Sequence, residues 1–110
     1  MKLPLYVKHI GRMAHILVPI AKIDKEVPGG TVRTKLYRHL EKEFGGCTEN
    51  PLIWGMWGGI REAHVQITVS FKGVERIPAF LEFLAVLCKE MGEECLYLEM
   101  GEDTFLVNPQ

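Results

Sequence analysis

The fold is decided by one stretch near the middle of the chain, Arg61-Glu62-Ala63-His64-Val65-Gln66-Ile67-Thr68-Val69-Ser70-Phe71-Lys72. Apolar and polar side chains alternate along it without a break, which is the period of a β-strand that buries one face. The odd-numbered side chains from Ala63 to Phe71 are predicted to enter a core. The even-numbered ones, from Glu62 to Ser70, are predicted to lie on an open sheet face, where any functional surface of the sheet is expected.

A two-glycine turn precedes this strand. Gly58 and Gly59 predict a tight β-hairpin because both tolerate a positive φ, and the partner strand is predicted over Pro51 to Trp57. Pairing straight across the turn predicts the register Trp57 with Ile60, Gly55 with Glu62, and Ile53 with His64.

Side chains alternate between the two faces of a strand, and this parity predicts that Trp54 and Trp57 lie on opposite faces of the hairpin. Trp54 and Met56 are expected to face the helices, whereas Trp57 shares the open face. Gly55 has no side chain and is expected to leave a gap there that could hold a small ligand. A shift of one residue in the register would exchange the two faces.

Two helical segments flank the hairpin in the sequence. Thr31 is a natural N-cap for a helix that ends at Gly45-Gly46, and its apolar residues recur at the helical period. A second helix is predicted from Glu75 to Met91, with Gly92 placed to end it.

Shorter strands complete the pattern. His15 to Ile20 is predicted to be a strand, followed by a charged loop from Lys22 to Gly30. Glu94 to Met100 alternates again and turns into a short last strand, Thr104 to Val107. Residues 3 to 10 could add an edge strand or an arm.

The order of elements is β-α-β-β-α-β with one short extra C-terminal strand. This order is typical of the ferredoxin-like α+β fold, in which an antiparallel sheet carries both helices on one face. A length of 110 residues suits a single domain, residues 1-110, in which residues 1-12 would be the arm or edge strand.

The open face carries the candidate site. Seven residues form the predicted ligand-binding set: Trp57, Glu62, His64, Gln66, Thr68, Tyr97 and Glu99. A sheet face that is exposed to solvent and has no function also shows polar residues at alternate positions. Large aromatic side chains are not expected on such a face. The same mixture would suit a homo-oligomer, a dimer or larger, packed sheet against sheet.

The residue types exclude several kinds of site. Glu62 and His64 lie two apart on one strand, so a carboxylate could orient an imidazole, but this spacing is common and assigns no catalytic residue. The four histidines show no HxH, HxxxH or HExxH spacing, so neither a metal site nor a cofactor is predicted. Three cysteines without CxxC spacing argue against a disulfide framework and favour a reducing cytoplasm.

Net charge and hydropathy limit the kinds of partner that the protein is expected to bind. The formal net charge is -1, so nucleic acid binding is not expected, and Lys35, Arg38 and Lys42 are interpreted as a solvated helix face. No stretch approaches the length needed to cross a bilayer, and the amino terminus lacks the apolar run of a signal peptide. The sequence predicts a cytoplasmic protein with no membrane partner.

Several short motifs occur in a fixed order: Phe44-Gly45-Gly46-Cys47-Thr48, then Trp57, Glu62 and Gly92-Glu93-Glu94-Cys95-Leu96-Tyr97. They resemble a group of small uncharacterised prokaryotic and phage-borne proteins, which share an F-G-G-x-T segment, a later tryptophan and a Q-E-x-[LV]-Y segment. Glu93 stands where that group tends to have glutamine. The resemblance implies a ferredoxin-like α+β fold and no particular activity.

These observations favour a small homo-oligomeric binding or regulatory protein. It would hold a small polar ligand or a host protein on its open sheet face, as a phage or mobile-element counter-defence factor could. A small enzyme is the less favoured alternative, in which two ferredoxin-like units form a dimeric α/β-barrel and His64 or Glu99 transfers a proton. A purely structural subunit is the third hypothesis.

Overall fold

Five strands form the main sheet in the computed structural model, which describes residues 2–110. The elements follow one another as β1 (Arg12–Pro19), α1 (Ile20–Ile23), β2 (Glu26–Val27), β3 (Gly30–Thr31), α2 (Val32–Phe44), β4 (Thr48–Trp57), β5 (Ile60–Phe71), α3 (Ile77–Met91), β6 (Leu96–Met100) and β7 (Asp103–Val107). The predicted α+β class with an antiparallel sheet is confirmed. Within residues 2–110 the structure has three helices instead of the two predicted.

The main sheet has the strand order β4-β5-β1-β6-β7, and all neighbouring strands are antiparallel. The β4–β5 hairpin turns at Gly58 and Gly59, whose φ values of 56° and 81° suit the two-residue turns that hairpins prefer. Its register pairs Trp57 with Ile60, Gly55 with Glu62, and Ile53 with His64, as predicted. An irregularity between Asn50 and Ile53 separates this part of β4 from its first residues.

Helices α2 and α3 cover one face of the sheet and enclose the core with it. In β5 the inward side chains are Val65, Ile67, Val69 and Phe71, each at most 6% exposed. They pack with the buried residues of β1 and of both long helices, Cys88 among them. Removing this apolar surface from water is the main favourable contribution to folding, and it leaves the other face of the sheet open.

The ends of the two long helices follow from their capping residues. The hydroxyl of Thr31 accepts a hydrogen bond from the backbone N–H of Thr34, and the hydroxyl of Thr34 accepts one from the backbone N–H of Thr31. Gly45 and Gly92 end α2 and α3 in the left-handed conformation. The predicted bounds of α2 are confirmed, and α3 begins two residues later than predicted, with Pro78 in its first turn.

A ring stack and an ion pair join α2 to α3. The rings of His39 and Phe83 are parallel, with 3.9 Å between their centroids, and burial lowers the pKa of His39. Lys35 Nζ lies 2.8 Å from Glu90 Oε1, and both side chains are largely buried. Lys35 is therefore part of the contact between the helices, and its assignment to a solvated strip is wrong.

The segments around β1 differ from the prediction. The predicted loop from Lys22 to Gly30 contains the end of α1 and most of a small hairpin formed by β2 and β3. Residues 2–11 contain no strand, so they are an arm, in which Leu5 and Tyr6 are exposed. Because β1 pairs with β5 on one side and β6 on the other, the segment preceding it leaves the sheet at its centre, away from both edges.

The tip of the β4–β5 hairpin extends beyond the helices. Trp54 and Met56 share the face of Ala63, as parity predicts, but they are 51% and 67% exposed. The guanidinium of Arg61, 4.1 Å from the ring centre of Trp54, covers that ring in place of a helix. The expectation that these two residues pack toward the helices is therefore wrong, because the helices end before the hairpin does.

Candidate functional site

A pocket of 510 Å³ lies at one end of the open sheet face. Five strands supply its floor and walls, and the loop between α3 and β6 closes one side. The lining residues are Leu17, Pro19, Trp57, Glu62, His64, Gly92, Glu93, Glu94, Cys95, Tyr97 and Leu106. Small-molecule sites occupy roughly 300–1,000 Å³, so this pocket can hold a small organic ligand.

Trp57 forms an aromatic wall with Tyr97. Their ring centroids lie 5.6 Å apart although their strands, β4 and β6, are separated by β5 and β1. The Trp57 ring also stands nearly perpendicular to that of His64, with 5.9 Å between centroids. Both aromatic side chains therefore lean inward over the sheet, and 44% of Trp57 remains exposed to a ligand.

Gly55 gives Trp57 its position. A methyl group added at Gly55 would lie 2.7 Å from Cζ2 and 3.0 Å from Cε2 of the Trp57 indole, closer than carbon atoms approach one another in proteins. The indole therefore occupies the space above Gly55. The expectation that this space is a gap for a ligand is wrong, because the indole fills it.

Glu62 and His64 form a hydrogen-bonded pair on β5. Glu62 Oε1 lies 2.8 Å from His64 Nε2, because residues two apart on a strand point the same way. Because an ionised carboxylate only accepts, the Nε2–H group of His64 is the donor in this hydrogen bond. His64 is 3% exposed, and its Nδ1 has no partner among residues 2–110. A buried polar atom without a partner is uncommon. The Glu62 side chain is 42% exposed, so its carboxylate is the member of the pair that a ligand can reach and that can accept a proton, while the imidazole orients it.

The rim of the pocket is acidic. Glu62, Glu93 and Glu94 line it, and the lining contains neither lysine nor arginine. Within a concave surface, like charges add and water screens them less than on an exposed surface. The carboxylates of the lining therefore favour a cationic group beside them, while the ammonium groups of Lys22 and Lys25 approach the pocket at Gly92.

The structure gathers four of the seven predicted site residues: Trp57, Glu62, His64 and Tyr97 line the pocket. Gln66, Thr68 and Glu99 share the open face but lie outside it. Thr68 Oγ1 is 2.7 Å from His15 Nδ1, so these two side chains satisfy each other further along the sheet. Glu99 pairs with His15 across β1 and β6, so it lies beside the Thr68–His15 contact and not at the pocket.

The predicted set omits Gly92, Glu93, Glu94 and Leu106, which line the pocket, and also Leu17, Pro19 and Cys95. The first three belong to the loop after α3, whose approach to the sheet depends on how α3 packs. The two consecutive glutamates and the resemblance segment beginning at Gly92 were the available signals. Leu106 lies on the edge strand β7. No feature of the β7 sequence indicates that this strand contributes to the pocket.

The three cysteines occupy different environments. Cys95 lines the pocket. Burial raises the pKa of the Cys88 thiol to about 11 and also raises the pKa of Cys47. Because the thiolate is the reactive form, Cys88 and Cys47 are unsuited to nucleophilic catalysis at neutral pH.

A second depression, of 540 Å³, lies between α3 and β7. Its lining is mostly apolar, and Glu82 is the one residue in it with an ionisable side chain. Although it is slightly larger than the pocket on the open face, it offers no converging polar groups to orient a ligand. The open-face pocket is therefore the candidate functional site.

Two other kinds of feature are missing from residues 2–110. No three His, Cys, Asp or Glu side chains are grouped so that they could hold a metal ion. None of the helices combines the length and hydropathy that spanning a membrane requires.

A scan against protein-family models finds no match, and a search of curated proteins finds none. Among solved structures, a phage SAM lyase in complex with S-methyl-5'-thioadenosine has a TM-score of 0.61 at 17% sequence identity, covering 97% of this chain and 96% of the lyase chain. A phage SAM lyase in the apo state has a TM-score of 0.60 at 18% identity, covering 99% and 98%. The likeness shows a common fold along nearly the whole chain.

The comparison also corrects the sequence-based choice between function classes. The chain was expected to be a binding protein more than an enzyme, and that preference is overturned because both similar structures are of an enzyme. The enzyme alternative is therefore better supported than the favoured hypothesis.

Proposed function

We propose that this chain binds S-adenosylmethionine (SAM) in the open-face pocket and cleaves it to S-methyl-5'-thioadenosine. The observation that carries the proposal is the pocket, in which an aromatic wall, a carboxylate–imidazole pair and an acidic rim surround one space. The fold shared with a phage SAM lyase, one structure of which holds S-methyl-5'-thioadenosine, supports it.

The aromatic wall suits the adenine ring of such a ligand. Trp57 is 44% exposed and lines the pocket beside Tyr97. Stacking of a base on an aromatic side chain contributes about 1–3 kcal/mol. This wall can therefore hold the nucleoside that substrate and product have in common.

The acidic rim suits the sulfonium centre of SAM. The sulfonium carries a positive charge, and Glu62, Glu93 and Glu94 supply negative charge without a lysine or arginine in the lining. Attraction between unit charges 4 Å apart is about 4 kcal/mol at the effective dielectric constant of a protein surface. Substrate binding is accordingly favoured over binding of a neutral nucleoside.

Cleavage breaks the bond between the sulfonium sulfur and the amino-acid carbon chain, and the electron pair of that bond stays on sulfur. The product is a neutral thioether, which the acidic rim holds less tightly than SAM. The four-carbon fragment leaves as an unsaturated amino acid if a base removes a proton, or as a lactone if its own carboxylate attacks. The Glu62–His64 pair is the base that we propose for proton removal.

Incubation of the purified protein with SAM tests this function. We expect S-methyl-5'-thioadenosine to accumulate in proportion to protein and time, measured by liquid chromatography with mass spectrometry. The mass of the second product distinguishes the two routes. S-adenosylhomocysteine, which lacks the sulfonium charge, is the matched control and should remain intact. Absence of the thioether in the SAM reaction would overturn the proposal.

We also propose a ferredoxin-like arrangement and a counter-defence role. The strand order β4-β5-β1-β6, with α2 and α3 on one face, supports the arrangement.

A lyase of phage origin would remove a small molecule that host enzymes use. It would do so by consuming the molecule, with no need for sequestration. The likeness to two phage lyase structures supports this role.

Self-association is a further expectation. Met56 and Ile60 at the hairpin tip are 67% and 69% exposed, and the arm adds exposed Leu5 and Tyr6. Large exposed apolar side chains of this kind, here at both ends of the sheet, are available to an interface. Native mass spectrometry should give a multiple of the 12.5 kDa chain mass, and the double substitution Met56→Glu with Ile60→Glu should reduce it. A wild-type protein that stays at the mass of one chain would contradict self-association.

A further inference from the structure

Three lysines surround the C-terminal end of α3, and two of them have partners there. Lys35 forms an ion pair with Glu90, and Lys25 Nζ donates a hydrogen bond to the backbone carbonyl of Met91 at 3.2 Å. Lys22 is the third. Its side chain is half-buried, yet within residues 2–110 it has neither a carboxylate within 4.0 Å nor a side-chain hydrogen bond. Lys22 thus holds an ammonium group without a protein partner, whereas the ammonium groups of its two neighbours each have one.

The ammonium group of Lys22 lies at the edge of the pocket. A Cβ placed on Gly92, which lines the pocket, would be 3.7 Å from Lys22 Nζ and 3.5 Å from Lys25 Nζ. Of the two, Lys25 already donates a hydrogen bond to Met91. Pro19, another lining residue, ends β1 directly before the short helix α1 that carries Lys22. Two lining elements therefore meet at this lysine, while the lining itself holds only negative charges.

We propose that Lys22 and the loop Gly92–Glu94 form a subsite for the α-amino-acid group of the ligand. Lys22 binds its carboxylate, and Glu93 or Glu94 binds its ammonium group. This inference rests on the proposed function, because it assigns the amino-acid end of SAM to one part of the same pocket. A rim of carboxylates alone would repel the ligand's carboxylate, so a zwitterionic group requires a cation beside the acids. Lys22 is a cation there with no protein partner competing for it.

The subsite separates ligands by whether they carry the amino-acid group. S-adenosylhomocysteine and S-methyl-5'-thioadenosine share the thioadenosine part, and both are neutral at sulfur. Only the first carries the carboxylate and ammonium groups. A change at Lys22 is therefore expected to alter binding of the first compound and leave binding of the second unchanged.

Isothermal titration calorimetry of the full chain with these two compounds tests the inference. Lys22→Gln should weaken S-adenosylhomocysteine roughly tenfold or more, the size expected for one charge-assisted hydrogen bond, and should change S-methyl-5'-thioadenosine by less than twofold. Lys22→Arg should restore most of the loss. Lys25→Gln removes the same charge beside the same glycine and is the matched control, which should leave both affinities near those of the wild type.

The outcomes separate this inference from the proposed function. If the wild type binds neither compound and does not cleave SAM, the proposed function fails. If it binds both and Lys22→Gln changes neither, or weakens both equally, the amino-acid subsite is overturned while the proposed function stands. An equal loss in Lys25→Gln would assign the effect to overall charge and would also overturn the subsite.

Discussion

Replacing Glu62 by glutamine is expected to lower the rate of S-methyl-5'-thioadenosine formation from SAM by about 100-fold or more, the size typical of losing a positioned acid–base or electrostatic group. Glutamine keeps the size of the side chain but removes the charge that orients His64 at 2.8 Å and faces the pocket. Initial rates across a range of SAM concentrations, followed by chromatography, give kcat and KM separately. A fall in kcat indicates that the pair takes part in bond cleavage, whereas a rise in KM alone indicates that it only attracts the cation.

Glu99→Gln is the matched control for this substitution. Glu99 also points to the open face from a neighbouring part of the sheet, but it does not line the pocket. The same loss of one negative charge should therefore change kcat/KM by less than about twofold, since exposed charges at a distance are screened by salt. Near-wild-type activity of Glu62→Gln would remove the Glu62–His64 pair from the reaction.

Gly55→Ala is expected to weaken binding of S-methyl-5'-thioadenosine by roughly 10-fold, within the range for loss of one base–aromatic stack. The new methyl group would lie 2.7 Å from Cζ2 of Trp57, and a rigid indole can relieve that contact only by rotating away. Rotation separates the ring from Tyr97 and His64 and so removes the aromatic wall. Calorimetric titration with the thioether measures the loss.

A double-mutant cycle shows whether Gly55 acts through the indole. Trp57→Leu alone should weaken binding, and adding Gly55→Ala to it should cause little further loss, because the ring that the methyl group displaces is absent. Additive losses in the double variant would show that Gly55 affects the pocket by another route.

Much of the fold could be predicted because local rules agreed with one another. The Gly58-Gly59 turn set the register of the hairpin, and strand parity then assigned each residue of β5 to a face. Thr31 and Gly45 fixed the bounds of α2 through capping. The short elements α1, β2 and β3 lacked such signals, since two to four residues contain no period to detect.

The sequence could predict which face of the sheet carries each candidate site residue. It could not predict where along the strands the pocket lies. Parity placed Trp57, Glu62, His64 and Tyr97 on the open face, and they line the pocket. It also placed Thr68 there, although Thr68 lies too far along β5, because parity gives the face of a residue and not its distance from a loop. The contribution of Glu93 depends on the packing of α3 and has no local signature.

The same limit explains Trp54 and Met56. Their parity is that of the core, but burial also requires a helix to extend over them, and α3 and α2 stop short of the hairpin tip. The length of a strand relative to its covering helices is a property of the assembled fold. An alternating pattern alone does not contain it.

Because the two indoles lie in different environments, the intrinsic tryptophan fluorescence of the protein can report ligand binding. Trp57 lies against His64 and Tyr97 at the pocket, whereas Trp54 lies on the opposite side of the same hairpin under the guanidinium of Arg61. A purine that enters the pocket would quench the emission of the first indole and leave the second unaltered. With Trp54 replaced by phenylalanine, ligand arrival could be followed in real time by stopped-flow fluorescence, without a label.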